Sequence, residues 1–166
     1  MPPGKITQKK RIDFQDLMLY RVHEILLVAS PYDAFILEED GRLTEQILHE
    51  YIGMNFNYAP RVWQANSAKA ALEMLSKRKL DIVIVMMRIA DMNPLSFGLK
   101  VKKMYPRKPV ILLAFDESEI KQLSEEALQN SVDRVFLWSG NANVFPAIIK
   151  QIEDRKNSKR DILDRK

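Results

Sequence analysis

The chain has 166 residues, enough for one domain with a real core, and its 46% apolar and 29% charged content is that of an ordinary globular protein. It contains no cysteine, which excludes disulfides, thiolate chemistry and Cys-based zinc sites. The net charge of +4 is mild. Basic residues crowd toward the two ends, at Lys5, Lys9, Lys10 and Arg11 and at Arg155, Lys156, Lys159, Arg160, Arg165 and Lys166. No aromatics interleave them and acids interrupt the second group, so they read as solubilising tails and no nucleic-acid partner is expected. No apolar run approaches the roughly 20 residues of a membrane span. Met1–Lys5 lacks the apolar core of a signal peptide. A cytoplasmic protein with no membrane partner is the expectation.

Residues 1–12 are polar and expected to be loose. Asp13 is placed to cap a short helix, Phe14–His23, with Phe14, Leu17, Met18 and Val22 on one side. Glu24–Ser30 reads as the first strand, ended by Pro31. Pro31–Gly41, with three acids in a row at Glu38, Glu39 and Asp40, reads as a mixed loop or broken helix. Leu43–Ile52 is helical by the shared face of Leu43, Ile47, Leu48 and Tyr51, with Gly53 as its C-cap. Arg61–Ala65 is a second strand. Asn66 or Ser67 caps a helix over Ala68–Lys77, which buries Ala68, Ala71, Leu72 and Leu75.

Residues 80–87 organise the rest. Ile82–Met87 is apolar and mostly β-branched, as in a strand buried on both faces at the centre of a parallel sheet. A helix over Leu95–Met104 stops before Pro106. Pro109–Phe115 is the fourth strand. The next helix starts at Asp116–Glu119, capped by Ser118, and runs to about Leu128. Val132–Leu137 is the fifth strand, and Trp138–Asn141 a loop. The last helix begins near Ala142 and carries Phe145, Ile148, Ile149 and Ile152. Beyond Glu153 the stripe fades into alternating charges, which predicts an exposed segment, either helical or flexible. The sum is an α/β doubly wound (βα)₅ sheet of five parallel strands in the order 2-1-3-4-5. Three parts are expected: an N-terminal extension over 1–23, a domain over 24–153, and a polar extension or interdomain linker over 154–166.

Over residues 24–153 the chain resembles the receiver domain of two-component response regulators, which has the flavodoxin-like fold. The resemblance is carried by Ile25–Val28, by Leu80–Val85 running into Ile89–Met92, by Pro109–Leu113, by Val132–Phe136 and by the terminal helix. Active receivers place two acids after the first strand, a phospho-accepting Asp at the end of the third, Thr or Ser at the end of the fourth and Lys after the fifth. This chain has Ala29, Ser30, Met86, Ala114, and Leu137 or Trp138 at those positions. Phosphotransfer to a carboxylate requires a nucleophilic oxygen and a Mg²⁺ held by hard oxygen ligands, and a thioether supplies neither. Asp33, Asp91 and Asp116 stand nearby and read as solvated loop acids. The resemblance therefore implies a degenerate receiver, or pseudo-receiver, with no catalytic residue, no metal and no cofactor. A further resemblance rests on Pro31–Arg42 and Arg134–Gly140. These stretches look like the N-terminal receiver-like region of large bacterial proteins that carry a phosphoenolpyruvate synthase or pyruvate-phosphate-dikinase type domain further on.

His23 and His49 are expected to be unrelated surface histidines. No glycine-rich phosphate loop or nucleophile elbow is present. Met86 reads as core, while Met87 and Met92 suit an adaptable surface. Trp63 and Trp138 are expected to pack, Trp138 being the one that could also anchor a partner. The expected function is a phosphorylation-independent interaction module. Its partner is a protein or another domain of the same longer chain, with homodimerisation through the face of the fourth helix, fifth strand and fifth helix as one form. Arg134, Phe136, Trp138 and the exposed side of Ala142–Gln151 belong to that face. The alternative is a nucleotide or small-ligand sensor using the crevice at the C-terminal ends of the strands.

Overall fold

The computed structural model describes residues 20–39, 42–50, 59–138 and 144–164. Five strands form one parallel sheet in the order β2-β1-β3-β4-β5. They are β1 (Glu24–Val28), β2 (Arg61–Ala65), β3 (Ile82–Met86), β4 (Val110–Ala114) and β5 (Arg134–Leu137). Between them run α1 (Pro31–Glu39), α2 (Leu43–Glu50), α3 (Ala68–Lys77), α4 (Pro94–Met104), α5 (Glu117–Lys121) and α6 (Glu125–Ser131). A long α7 (Val144–Asp164) follows β5.

The strands are short and apolar because helices cover both faces. Alternate residues divide between two cores, as the two-residue period of a strand requires. Ile25, Leu27, Ile82, Ile84, Met86, Ile111 and Leu113 pack with α1, α2 and α7. Leu26, Val28, Val83, Val85, Val110 and Leu112 pack with α3, α4 and Val132. Registers are fixed on both sides of β3, where Val85 pairs with Val28 and with Leu112. At Gly98 the backbone of α4 meets the carbonyl of Ser131 so closely that an added Cβ would collide with it. Glycine lets α4 and α6 approach here.

Several sequence expectations are corrected by the fold. Pro31–Glu39 is a continuous helix rather than a mixed loop or broken helix. Ser30 caps it, accepting the Asp33 N–H at 3.1 Å, and Pro31 takes the first helical position. The helix expected over Asp116–Leu128 is two helices. Asp116, not Ser118, caps α5. Ser124 then accepts the Ala127 N–H and starts α6, because a serine hydroxyl competes with the helical ladder and suits a new N-terminus. The helix predicted to end at His23 lies largely outside the described residues, and Tyr20–His23 are not helical. Gly53 and residues 139–143 also lie outside them. The last helix continues without a break from Val144 to Asp164, and Glu153 within it is buried. Its carboxylate accepts the Val22 N–H at 2.8 Å and faces Arg21 at 3.6 Å.

Candidate functional site

Parallel α/β sheets place ligands beyond the C-terminal ends of their strands. At that end the sheet brings together Ala29, Ser30, Met86, Ala114 and Leu137. Ala29 follows β1, and its N–H donates to the Ala65 carbonyl at 3.0 Å. The Ser30 N–H donates to the Arg88 carbonyl at 3.0 Å, which ties the ends of β1 and β3. Ser30 therefore spends its amide on β3 and its hydroxyl on α1. Met86 is 1% exposed and belongs to the core beneath α1, α2 and α7. Ala114 is fully buried, and Leu137, its register partner, is 38% exposed.

The polar content of this end comes from residues read as loop acids or not singled out. Asp33 is not a solvated loop acid. It lies in the first turn of α1 and is 1% exposed. A buried carboxylate requires a partner, and Arg88, just after β3, supplies it. The guanidinium grips both carboxylate oxygens, with Nη2–Oδ1 at 2.5 Å and Nε–Oδ2 at 3.2 Å. The planar fork of arginine suits that two-point contact. Asp33, by bonding and by charge, raises the Arg88 pKa further, so the cation stays fixed. Tyr32 lies 6.0 Å from the same guanidinium and is 65% exposed.

Asp91 and Asp116 are exposed, but both carboxylates are committed. Asp91 accepts the Ala68 N–H at 2.6 Å and the Lys69 N–H at 3.1 Å, capping α3 from across a loop. Asp116 accepts the Ser118 hydroxyl and the Glu119 N–H, the latter at 3.2 Å. Glu119 in turn reaches back to the Phe115 N–H at 2.7 Å, a reciprocal cap. These bonds favour the charged form, and both acids titrate below the ordinary 3.8.

On the fifth strand, Arg134 is exposed and Phe136 is half-buried against the first core. Phe136 is thus not the exposed aromatic of a docking face. The exposed apolar side chains of β5 are Val135 and Leu137. Trp138 is half-buried and meets Phe115 edge-on, ring centres 5.3 Å apart. Among the described residues its indole N–H has no acceptor. Trp63 packs on the second core, donates to Glu24 at 2.5 Å and lies under Arg78. His23 and His49 are both exposed.

Among the described residues no group of three His, Asp or Glu could hold a metal ion. No described helix is long and apolar enough to cross a membrane. Three surface cavities, of about 440, 520 and 410 Å³, are all lined by residues other than Ala29, Ser30, Met86, Ala114 and Leu137. Sequence reading missed the Arg88–Asp33 pair, because the two residues are 55 apart in the chain. The one local signal was an arginine directly after an apolar strand.

No protein-family model matches the chain, and no curated protein does. Solved structures do match. The signal receiver domain of an HD domain-containing protein from Pseudomonas fluorescens Pf-5 superposes with a TM-score of 0.63 at 20% identity, covering 87% of this chain and 96% of that one. A CheY-like response regulator receiver domain from Methanospirillum hungatei JF-1 gives 0.61 at 18% identity, covering 83% and 98%. The receiver domain of sensor histidine kinase PA1611 from Pseudomonas aeruginosa PAO1, solved with a magnesium ion in its active-site cleft, gives 0.59 at 16% identity, covering 80% and 98%. Five parallel strands in the order 2-1-3-4-5, wrapped on both faces, give this chain the flavodoxin-like fold of CheY-like receiver domains.

Proposed function

We propose that this chain is a receiver-like regulatory module that works through protein contacts and without phosphorylation. The observation that carries the reading is the Arg88–Asp33 pair beside Met86. The buried acid of the crevice is neutralised by a cation built into the chain, bonded at 2.5 and 3.2 Å. An internal guanidinium fills the electrostatic role that a bound divalent ion would otherwise play near the strand ends. Met86, buried in the core, presents no oxygen to attack a phosphoryl group. On this reading the chain is not an enzyme and uses no cofactor.

The partner is another protein or another domain of a longer, cytoplasmic bacterial chain. The resemblance of Pro31–Arg42 and Arg134–Gly140 to regions that precede a phosphoenolpyruvate synthase type domain favours the second. Val135 and Leu137 on the edge strand, with Arg134 beside them, offer the apolar contact, and self-association through that face is its other form. The test is intact-mass spectrometry after incubation with acetyl phosphate and Mg²⁺, with sedimentation equilibrium of treated and untreated samples. No phosphoryl adduct and identical association are expected. A stoichiometric adduct, or association that depends on treatment, rejects the reading.

A further inference from the structure

The opposite end of the sheet has different chemistry. Two adjoining hollows, of about 440 and 520 Å³, share Tyr20, Pro106, Arg107, Pro109 and Lys156 and so form one cleft. Its walls come from the segments entering β1, β3, β4 and β5 and from the second half of α7. Seven lysines and arginines line it against two carboxylates, Asp81 and Asp133. Both carboxylates are already engaged. Asp81 accepts the N–H groups of His23 and Glu24 at 2.8 and 2.9 Å. Asp133 accepts the Val110 N–H at 2.8 Å and pairs with Lys102. Among the described residues Arg107, Arg155, Lys156 and Lys159 form no ion pair.

We propose that this cleft binds a small polyphosphate, of the class of nucleoside di- and triphosphates. Like charges gathered in a concave, partly desolvated site repel one another until an anion enters. The Lys156 ammonium is partly stripped of water here. Burial lowers its pKa most, and Lys108, Lys159 and Lys102 lower it further against the opposing pull of Asp81. Lys108 is also lowered, first by burial. Ile152, Pro106 and Pro109 give the cleft an apolar floor beside the cations, which suits a flat ring carrying phosphates. The volume lies in the roughly 300–1,000 Å³ range of small-molecule sites. Concavity separates it from the extended basic stripe that tracks a nucleic-acid backbone. The proposal stands apart from the reading of the crevice. It gives the basic stretch of α7 an anion-binding role, and occupancy would tie that half of the helix to the sheet.

The test is isothermal titration calorimetry of the whole chain with ATP, ADP, pyrophosphate and inorganic phosphate, at constant ionic strength. Saturable binding of one ATP or ADP per chain, tighter than inorganic phosphate, is expected. Arg155→Glu with Lys159→Glu reverses two exposed side chains and should weaken binding by about tenfold or more, since two attractive charges become repulsive ones. Lys121→Glu, on α5 at the other end of the sheet, changes the net charge and should leave affinity alone. Circular dichroism confirms that each variant is folded. The proposal is overturned if no nucleotide binds at millimolar concentration, or if inorganic phosphate binds equally well. It is also overturned if Lys121→Glu weakens binding as much as the cleft variant. Tighter binding of duplex DNA or anionic vesicles than of ATP would reject it in favour of a macromolecular surface.

Discussion

The two ends of the sheet are built from the same strands and have opposite electrostatics. At the C-terminal ends the buried acid Asp33 is closed off by Arg88, and Asp91 and Asp116 are consumed as helix caps. At the N-terminal ends the acids are consumed as well, by backbone N–H groups and Lys102, but an excess of cations is left over. One end is self-satisfied and the other is short of counter-charge. A satisfied cluster mainly holds structure, whereas an unsatisfied one has free energy to gain from a ligand. Fold alone would have directed attention to the first end.

Three perturbations sharpen that contrast. Met86→Asp is expected to have the largest effect. The new carboxylate enters a core site with only 1% exposure, and burying an unpaired polar group costs about 1–3 kcal/mol. Urea unfolding should show that loss, with no phosphorylation gained. An unchanged stability would mean that the strand end is open to water, and would reopen the crevice as a ligand site.

Arg88→Ala should come next. It leaves the Asp33 carboxylate buried without its cation, yet the Arg88 side chain is 59% exposed, so water can partly replace it. Solvent screening brings the expected loss down to about 1 kcal/mol, read as a lower unfolding midpoint. A loss as large as that of Met86→Asp would show a site much drier than described.

The smallest effect is acid sensitivity. Asp91 and Asp116 titrate below 3.8 when folded because backbone and Ser118 donors hold their charged forms. Their contribution is complete above the unfolded value of 3.8 and is lost as pH falls through the lower folded values. Asp91→Asn keeps an oxygen for the cap but cannot titrate. Its unfolding midpoint should therefore vary less between pH 4 and about pH 2 than that of the parent protein. Identical acid profiles would remove Asp91 from the account.

Local pattern made most of the architecture legible. Of Asn66 and Ser67, the two caps the sequence offers before Ala68–Lys77, Ser67 is the one used, and Asn93, a cap not singled out from the sequence, starts α4 at Pro94. The apolar runs of β1, β3 and β4 announce strands covered on both faces. The helix over Pro31–Glu39 was obscured because its polar and apolar residues are not segregated, even though Ser30-Pro31 is a start signal in hindsight. The β5 face was misjudged for another reason. A four-residue edge strand carries no period to tell which side the last helix covers, and Phe136 is half-buried against the core that α7 completes while Val135 is left open.

The sequence by itself determined the doubly wound topology and the compositional oddity of the strand ends, because both rest on periodicity and on residues adjacent in the chain. Tertiary structure alone decided the pairings. Arg88 meets Asp33 across 55 positions, and the N–H of Val22 meets Glu153 across 131. The basic residues near the C-terminus read as a solvated tail until α7 carries Arg155, Lys156 and Lys159 alongside Lys102 and Arg107. Charge interacts through space, with a range set by distance and burial, and chain order records neither.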